Sequence, residues 1–312
     1  MKSTKDCNGS DRKSLHNFLD KIDFRVARTK EELEGAAALV HKEYTKKGYI
    51  KNSNSKLRLG MHNAHPQTTT FVATAGKDVI ATTTVILDSS VGLPMDEIYH
   101  QELNQLRAGD KKICEISMLA CDTELFNNGV SMMLNSKKLF LVFSLFKHIL
   151  DYTKEFLKLD YICITINPKH KITYDFLLFK DMGELKMYDE VNNAPAIAKY
   201  INLNTVEKEF KKHDRRERYS MFIQRKTDPG TFSNKYQLTY QDLKYFFVEK
   251  TDIFKDAAPS QIAYLQECYP KYDFNEMIYN KPIHAPSFES TSYWEEREEK
   301  PSTLKPCLSF NI

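Results

Sequence analysis

The stretch YICITINPKHKITYDFLLFKDMG (161–183) decides the fold. Its first part is an apolar strand, and the second part, ITYDFLLFKDM (172–182), is typical of a helix that ends at Gly183. A second strand-like segment, KICEISMLACD (112–122), comes earlier, and the apolar helix LFLVFSLFKHILDYTKEF (139–156) separates the two. Strands that alternate with helices predict an α/β sheet, in which ligands collect beyond the carboxyl ends of the strands.

The flanking segments extend this pattern in both directions. Upstream, FRVAR (24–28) predicts a strand, Thr29 and Glu32 predict a helix N-terminus with a capping box, and residues 68–75 and 79–89 predict a hairpin. Downstream, residues 184–190 and 196–204 predict two more strands. The fold class is therefore α/β, with a mixed central sheet flanked by helices.

The organisation of the chain follows from changes in composition. We predict a flexible leader over 1–23, a catalytic-type domain over 24–204, a C-terminal helical extension over 205–279 and a poorly ordered tail over 280–312, where prolines and the charge run EEREEK accumulate. The N-terminus lacks the apolar core of a signal peptide, and no apolar run reaches the roughly 20 residues of a membrane helix. We therefore expect a cytoplasmic protein without a transmembrane segment.

Composition also excludes several classes of partner. The net charge of +3 over 312 residues is too small for a nucleic-acid-binding domain. The six cysteines contain no CxxC pair, which argues against disulfides and zinc. His62 and His65 stand in a loop without a nearby carboxylate or cysteine, so no metal site is predicted.

Glu115 is the first candidate catalytic residue. It places a charge in the middle of KICEISMLACD, where strand alternation requires none. Burial would raise its pKa and make it a suitable general base for an ammonium-bearing nucleophile. The alternative is an outward-facing glutamate without a role.

Tyr174 is the second candidate. It follows Asn167 by seven residues, which places the phenol in the first turns of a helix near the end of the preceding strand. A tyrosine at that position could protonate a departing thiolate. The alternative is a half-buried ring that contributes packing alone.

Several of these segments resemble a known family. The path from Phe24 to Leu203 resembles the GNAT fold, including the spacing from Asn167 to Tyr174. Residues 41–50, 83–107, 113–122 and 167–183 resemble the long-chain N-acyl amino acid synthases, which are related to the acyl-homoserine lactone synthases. The similarity extends over most of residues 24–274.

The resemblance implies a reaction and its participants. The acyl donor would be the acyl-phosphopantetheine thioester of acyl carrier protein, the acceptor would be an amino acid, and no cofactor would be bound permanently. Glu115 would deprotonate or orient the amine, and Tyr174 would be a general acid. Membrane contact would be transient, through the lipid product.

Two departures from related families refine this reading. Lactone synthases have an arginine three residues after the glutamate, where this chain has Met118, so an S-adenosylmethionine acceptor is disfavoured. The segment TELFNNGVSMML (123–134) has one glycine and lacks the glycine-rich loop that binds the pyrophosphate of coenzyme A. Carrier protein is therefore preferred as the donor.

Further substrate-binding residues are predicted around these two. Tyr44 and Arg107 are candidates for the acceptor pocket, because an arginine suits the carboxylate of an amino acid. Apolar side chains that could line an acyl channel, or equally form core, are Phe126, Met132, Met133, Phe140, Phe143 and Phe146. Met118, Leu119 and Asn167 complete the predicted binding set. Basic clusters at Lys137-Lys138 and at Arg215-Arg216-Arg218 could bind the acidic carrier protein or simply be solvated.

Two other functions remain open. One is transfer of an acetyl or acyl group from coenzyme A to another amine, including a protein amine. The other is a catalytically inactive GNAT-like domain that binds lipid or a partner protein.

Overall fold

The computed structural model describes residues 21–126, 131–213, 220 and 227–279, without the side chains of Phe126 and residues 131–137. The predicted tail and nearly all of the predicted leader lie outside these ranges. So do the side chains of four further predicted residues, Phe126, Met132, Met133 and Lys137, and the arginine cluster Arg215, Arg216 and Arg218.

Strands and helices are interspersed up to residue 202. The strands are β1 (Ile22–Val26), β2 (Thr69–Ala75), β3 (Asp78–Leu87), β4 (Ile113–Cys121), β5 (Tyr161–Ile166), β6 (Lys180–Asp181), β7 (Lys186–Tyr188) and β8 (Ala194–Asn202). The helices among them are α1 (Lys30–Lys46), α2 (Asp96–Arg107), α3 (Ser131–Leu150) and α4 (Lys171–Phe176). A π-helical turn, Asp151–Phe156, extends α3.

The C-terminal extension contains short helices in its described part. These are α5 (Val206–Lys212), α6 (Gly230–Ser233), α7 (Tyr240–Lys244), α8 (Pro259–Cys268) and α9 (Phe274–Tyr279). No helix within the described ranges is long and apolar enough to cross a membrane.

The sheet is mixed, as predicted. Its order is β1-β2-β3-β4-β5-β8-β6, and β7 also pairs with β8. All neighbours are antiparallel except β4 and β5, which are parallel. Alternating side chains build a core on each face: one packs under α3 with Leu145 and Phe146, and the other packs under α2 with Tyr99 and Leu103.

Local sequence signals explain where α1 begins. Thr29 Oγ1 accepts a hydrogen bond from the Glu32 N–H at 3.2 Å, as the predicted N-cap requires. The Glu32 carboxylate bonds to Arg25 and to the Arg28 N–H instead of closing the predicted capping box.

The predicted helix over 172–182 is wrong in its second half. α4 ends at Phe176, and Leu178 adopts a left-handed conformation with φ 63°. The chain then turns so that Phe179 enters the core and Lys180–Asp181 pairs with β8. Pairing along the sheet therefore overrides the apolar spacing that favoured a continuous helix.

Candidate active site

The site begins where the parallel strands β4 and β5 part. They are paired from Ile113 and Tyr161 as far as Ile116 and Ile164. Beyond that point β4 continues beside β3 as far as Cys121, while β5 stays with β8. The two strands therefore diverge at their carboxyl ends and open a cleft, which is where α/β sheets bind ligands.

A β-bulge in β4 lies on the edge of this cleft. Thr82 pairs with Ala120 and Thr84 pairs with Ser117, so Thr83 alone stands opposite Met118 and Leu119. Met118 has φ 55°, a left-handed conformation that is uncommon for a residue with a side chain. The bulge redirects the β4 backbone just after its pairing with β5 has ended, and the two residues of the bulge, Met118 and Leu119, lie in the wall of the cleft.

A cavity of about 570 Å³ occupies the cleft. Its walls come from the end of α1, residues 58–63, β4, α3, β5, α4, the region of β7 and β8, and α8. The volume falls within the range of ~300–1,000 Å³ typical of small-molecule sites. The predicted site residues that line it are Glu115, Tyr174, Tyr44, Met118, Leu119 and Asn167.

Glu115 lies on β4 one residue before the strands part. It is 3% exposed, and its register neighbours are Ile86 on β3 and Cys163 on β5. Its Oε2 accepts a hydrogen bond of 2.9 Å from the Met95 N–H at the start of α2. Burial raises the pKa of Glu115 to about 8, against the lowering effect of that hydrogen bond, and the negative charge of Glu190 raises it further. A carboxyl with this pKa exchanges protons readily near neutral pH.

Tyr174 lies on α4 with its ring between two phenylalanines. The Phe146 and Phe179 rings meet it edge-on, at centroid distances of 5.7 and 5.8 Å. Burial raises the pKa of Tyr174 far above that of a free phenol, and Tyr44 and Cys121 raise it further. The phenol is therefore protonated at neutral pH and can act as a proton donor in the cavity.

Tyr44 approaches the cavity from the end of α1. Its ring meets the Tyr49 ring edge-on at 5.7 Å, and loss of solvent raises its pKa to about 12. The Tyr49 hydroxyl and Thr165 Oγ1 are buried in the same cavity without a hydrogen-bond partner among the described residues. Buried polar atoms normally have a partner, so these two are suited to bonding a ligand.

Arg107 is not brought together with the other candidates. It lies outside the cavity lining of the described residues, at the end of α2. Its guanidinium bonds both carboxylate oxygens of Asp88, at 2.7 and 2.8 Å, and both of Asp96, at 2.7 and 2.5 Å. These protein carboxylates occupy the donors that were expected to bind the carboxylate of an amino acid.

The aromatic residues of α3 also face elsewhere. Phe140 and Phe143 are not among the described residues that line the cavity, and the Phe143 ring stacks on Phe176 at 5.1 Å. Leu139 and Val142 line it instead. Residues three apart share one face of a helix, so the apolar wall lies on the neighbouring stripe of α3.

Basic side chains gather at one part of the cavity. Lys47, Lys138 and His170 line it, and Lys169 Nζ lies 5.0 Å from the centroid of the Tyr49 ring. Burial lowers the pKa of His170 to about 4, and the charges of Lys169, Lys47 and Lys138 lower it further. We call these four residues the basic cluster; the positive charges of its three lysines suit an anionic ligand.

The sequence reading missed other cavity residues. Arg58 lines the cavity, and its Nη2 donates to Glu190 Oε2 at 3.2 Å. His62, rejected as a metal ligand, lines the cavity with Nε2 3.2 Å from the Gly92 carbonyl oxygen. Gln261 reaches it from α8. Nothing periodic marks residues 47–68, so no local signal could have identified Arg58.

The sequence and the structure are similar to those of known proteins. The model of the FeeM family, N-acyl amino acid synthase FeeM, matches residues 35–202. The structure of FeeM from uncultured soil microbes is 33% identical, with a TM-score of 0.52 over 60% of this chain and 93% of FeeM. The sequence matches no curated protein.

Two more distant structures are similar over part of the chain. The coenzyme A-dependent acyl-homoserine lactone synthase BjaI is 11% identical, with a TM-score of 0.44 over 60% of this chain and 89% of its own. The acyl-homoserine lactone synthase LasI is 13% identical, with a TM-score of 0.40 over 59% and 89%. Since the family match spans more than half of the residues, the chain belongs to the FeeM family of N-acyl amino acid synthases and is a GNAT-like acyltransferase.

Proposed function

We propose that this chain transfers a long-chain fatty acyl group from the thioester of acyl carrier protein to the amine of an amino acid. The observation that carries the proposal is Glu115: a buried carboxyl with a pKa of about 8 in the wall of a cavity of about 570 Å³. A buried carboxyl is costly to the fold, and such groups concentrate at sites of proton transfer.

The acceptor half of the reaction needs a base. The amine arrives as an ammonium ion, and the Glu115 carboxylate takes one of its protons. The free amine then attacks the thioester carbonyl carbon, so a C–N bond forms and the carbonyl oxygen becomes an oxyanion. We assign the hydrogen bonds to that oxygen to the peptide N–H groups of Met118 and Leu119, because both residues line the cavity at the bulge.

The donor half needs an acid. Collapse of the adduct breaks the C–S bond, and the thiolate takes the phenolic proton of Tyr174. The second proton lost by the nitrogen restores the phenol. Burial keeps Tyr174 protonated at neutral pH, so the proton is present on the group before the bond breaks.

The basic cluster supports an anionic donor. Lys47, Lys138 and His170 line the same cavity as Leu139 and Val142, so a phosphate group and an acyl chain can be bound together. Phosphopantetheine on carrier protein and coenzyme A both carry phosphate. We favour carrier protein because residues 123–134 contain a single glycine, too few for a glycine-rich pyrophosphate loop.

Mass spectrometry of lipid extracts tests the proposal directly. Cells expressing the wild type should accumulate long-chain N-acyl amino acids, and cells expressing Glu115→Gln should not. Glu97→Gln is a matched control, because Glu97 is exposed on α2 and is not among the described residues lining the cavity. It should leave the product level unchanged.

A reaction with purified components separates the donors. Equal concentrations of acyl carrier protein and coenzyme A thioesters of one fatty acid are offered with an amino acid mixture. Faster product formation from the carrier-protein thioester supports the proposal. Faster formation from the coenzyme A thioester overturns the donor assignment, and a folded wild type that acylates no amino acid with either donor overturns the function itself.

A further inference from the structure

The C-terminal extension packs on the segment that links α1 to β2. Leu57, Met61 and Ala64 of that segment share a buried apolar cluster with residues of α7, α8 and α9, among them Leu243 and Leu265. The cluster is separate from the two cores of the sheet. A long connection with little regular structure is therefore fixed by burial against the extension.

Polar contacts strengthen this attachment. The Tyr269 hydroxyl donates to the Ala64 carbonyl oxygen at 2.9 Å, and the ring of Tyr264 meets the His65 ring at a centroid distance of 4.9 Å. Further along, Lys235 Nζ donates to the Pro66 carbonyl oxygen at 2.8 Å. The extension therefore contacts three consecutive residues near the end of the linking segment, Ala64, His65 and Pro66.

The same linking segment forms a wall of the active-site cavity. Arg58, Met61, His62 and Asn63 line the cavity, although neighbouring residues of the segment are packed on the extension. Any shift of the extension would therefore move Arg58 and His62 relative to Glu115. The extension therefore supports this wall of the cavity through contacts that residues 35–202 alone do not contain.

Gln261 brings the extension into the cavity itself. It precedes Tyr264 and Leu265 by three and four residues on α8, so all three share the helix face turned to the linking segment. Its Oε1 accepts a hydrogen bond of 3.0 Å from the Ala258 N–H, which fixes the side chain. The amide oxygen of Gln261 is therefore already hydrogen-bonded, whereas its NH₂ group still has two N–H donors for a ligand.

We propose that the Gln261 amide and the Arg58 guanidinium together bind the carboxylate of the acceptor amino acid, so that the extension helps to select the substrate. The inference rests on the proposed function. Arg58 has five N–H donors, and its bond to Glu190 uses one of them. Both residues line the cavity that contains Glu115, and a carboxylate can accept hydrogen bonds from both side chains.

Gln261→Glu is the sharpest test. It keeps the oxygen that accepts from Ala258 and replaces the NH₂ with a charged oxygen, so it repels a carboxylate without removing the helix cap. The substrates are amino acids paired with amines that lack the carboxylate, such as phenylalanine with phenethylamine and leucine with isoamylamine. Gln241→Glu is the control, because Gln241 is an exposed residue of α7.

The substitution should lower kcat/KM for the amino acids by about 10- to 100-fold, the size expected for losing a hydrogen bond to a charged group. It should change kcat/KM for the amines by no more than about twofold, and it should leave the KM of the thioester unchanged. Equal effects on both members of each pair, or none, would overturn the inference while the proposed function stands. A wild type that acylates amines but no amino acid would overturn the proposed function, and the inference with it.

Discussion

The raised pKa of Glu115 predicts how both the reaction rate and the stability of the fold should depend on pH. The carboxyl ionises at about 8, compared with 4.5 for an ordinary glutamate, because it is buried between Ile86 and Cys163. If Glu115 is the general base, about one-tenth of the enzyme is in the active form at pH 7 and about one-hundredth at pH 6. We expect kcat/KM to rise about tenfold per pH unit from 6 towards 8.

Glu115→Gln should abolish this dependence together with most of the activity. Loss of a general base typically lowers the rate by ~10²–10⁴-fold. The amide oxygen of glutamine can still accept the hydrogen bond from the Met95 N–H, so the local packing is retained. The assay is the release of thiol from an acyl thioester in the presence of the amino acid, over pH 6 to 9.

The same substitution should stabilise the protein. In the folded state the carboxyl holds its proton up to about pH 8, whereas the unfolded chain ionises from about 4.5. Folding therefore loses stability as pH rises through that window, by about 1.4 kcal/mol per unit, and the loss levels off above about 8. At pH 7 the cost is on the order of 3 kcal/mol, and glutamine removes it.

Denaturant unfolding at pH 5, 7 and 8 measures this cost. The difference in free energy of unfolding between Glu115→Gln and the wild type should grow with pH, whereas Glu97→Gln should match the wild type in the pH dependence of its rate. An activity profile with its acidic limb near 4.5 would refute the reasoning. So would a glutamine variant that is active, or one that is no more stable at pH 8 than the wild type.

Other substitutions test the remaining parts of the site. Tyr174→Phe should lower kcat by about 10²-fold with an alkyl thioester, and an aryl thioester with a more acidic thiol should restore most of the rate, as stopped-flow thiol release would reveal. Lys138→Glu should raise the KM of the anionic donor, and the difference from the wild type should shrink as salt is added, in steady-state assays at several ionic strengths. Arg107→Ala should destabilise the fold by about 1.5–3 kcal/mol in denaturant titrations, because Asp88 and Asp96 lose their partner, and should leave the KM of the amino acid unchanged.

Much of the fold was predictable because its signals are local. The hairpin of β2 and β3, the N-cap at Thr29 and the mixed sheet were confirmed, since alternation and capping each depend on a few neighbouring residues. The helix predicted as far as Met182 was wrong in its second half. Leu178 and Phe179 fit the apolar spacing of a helix, but they fit equally well a turn that brings Phe179 into the core. The local sequence pattern does not show whether packing against the sheet will stabilise the helix or the turn.

Residues of the candidate site could be predicted from the sequence only where they lie on or next to a regular strand or helix. Glu115 and Tyr174 line one cavity, but which face of α2 or α3 meets that cavity depends on packing. Arg107 was expected in the acceptor pocket and instead binds Asp88 and Asp96. Phe143, for which an acyl channel and the core were both open, stacks on Phe176. Arg58 belongs to a connection without periodicity, and its position depends on residues almost two hundred positions later. The catalytic roles of these residues stay predictions.

The placement of Glu115 in the sheet holds the proposed general base in a fixed position. The last paired position of β4 and β5 is Ile116 opposite Ile164, so Glu115 is still held by ladders on both sides. One residue further on, the strands begin to part, and the bulge at Met118 turns the backbone towards the cleft. A general base needs a fixed position, whereas a thioester needs open peptide groups. In the proposed mechanism, the parallel pair of β4 and β5 and the bulge that follows it supply both within four residues. A substitution that extended the pairing past Ile116 should therefore remove activity without unfolding the chain, as thiol-release assays and denaturant unfolding of the same variant would measure.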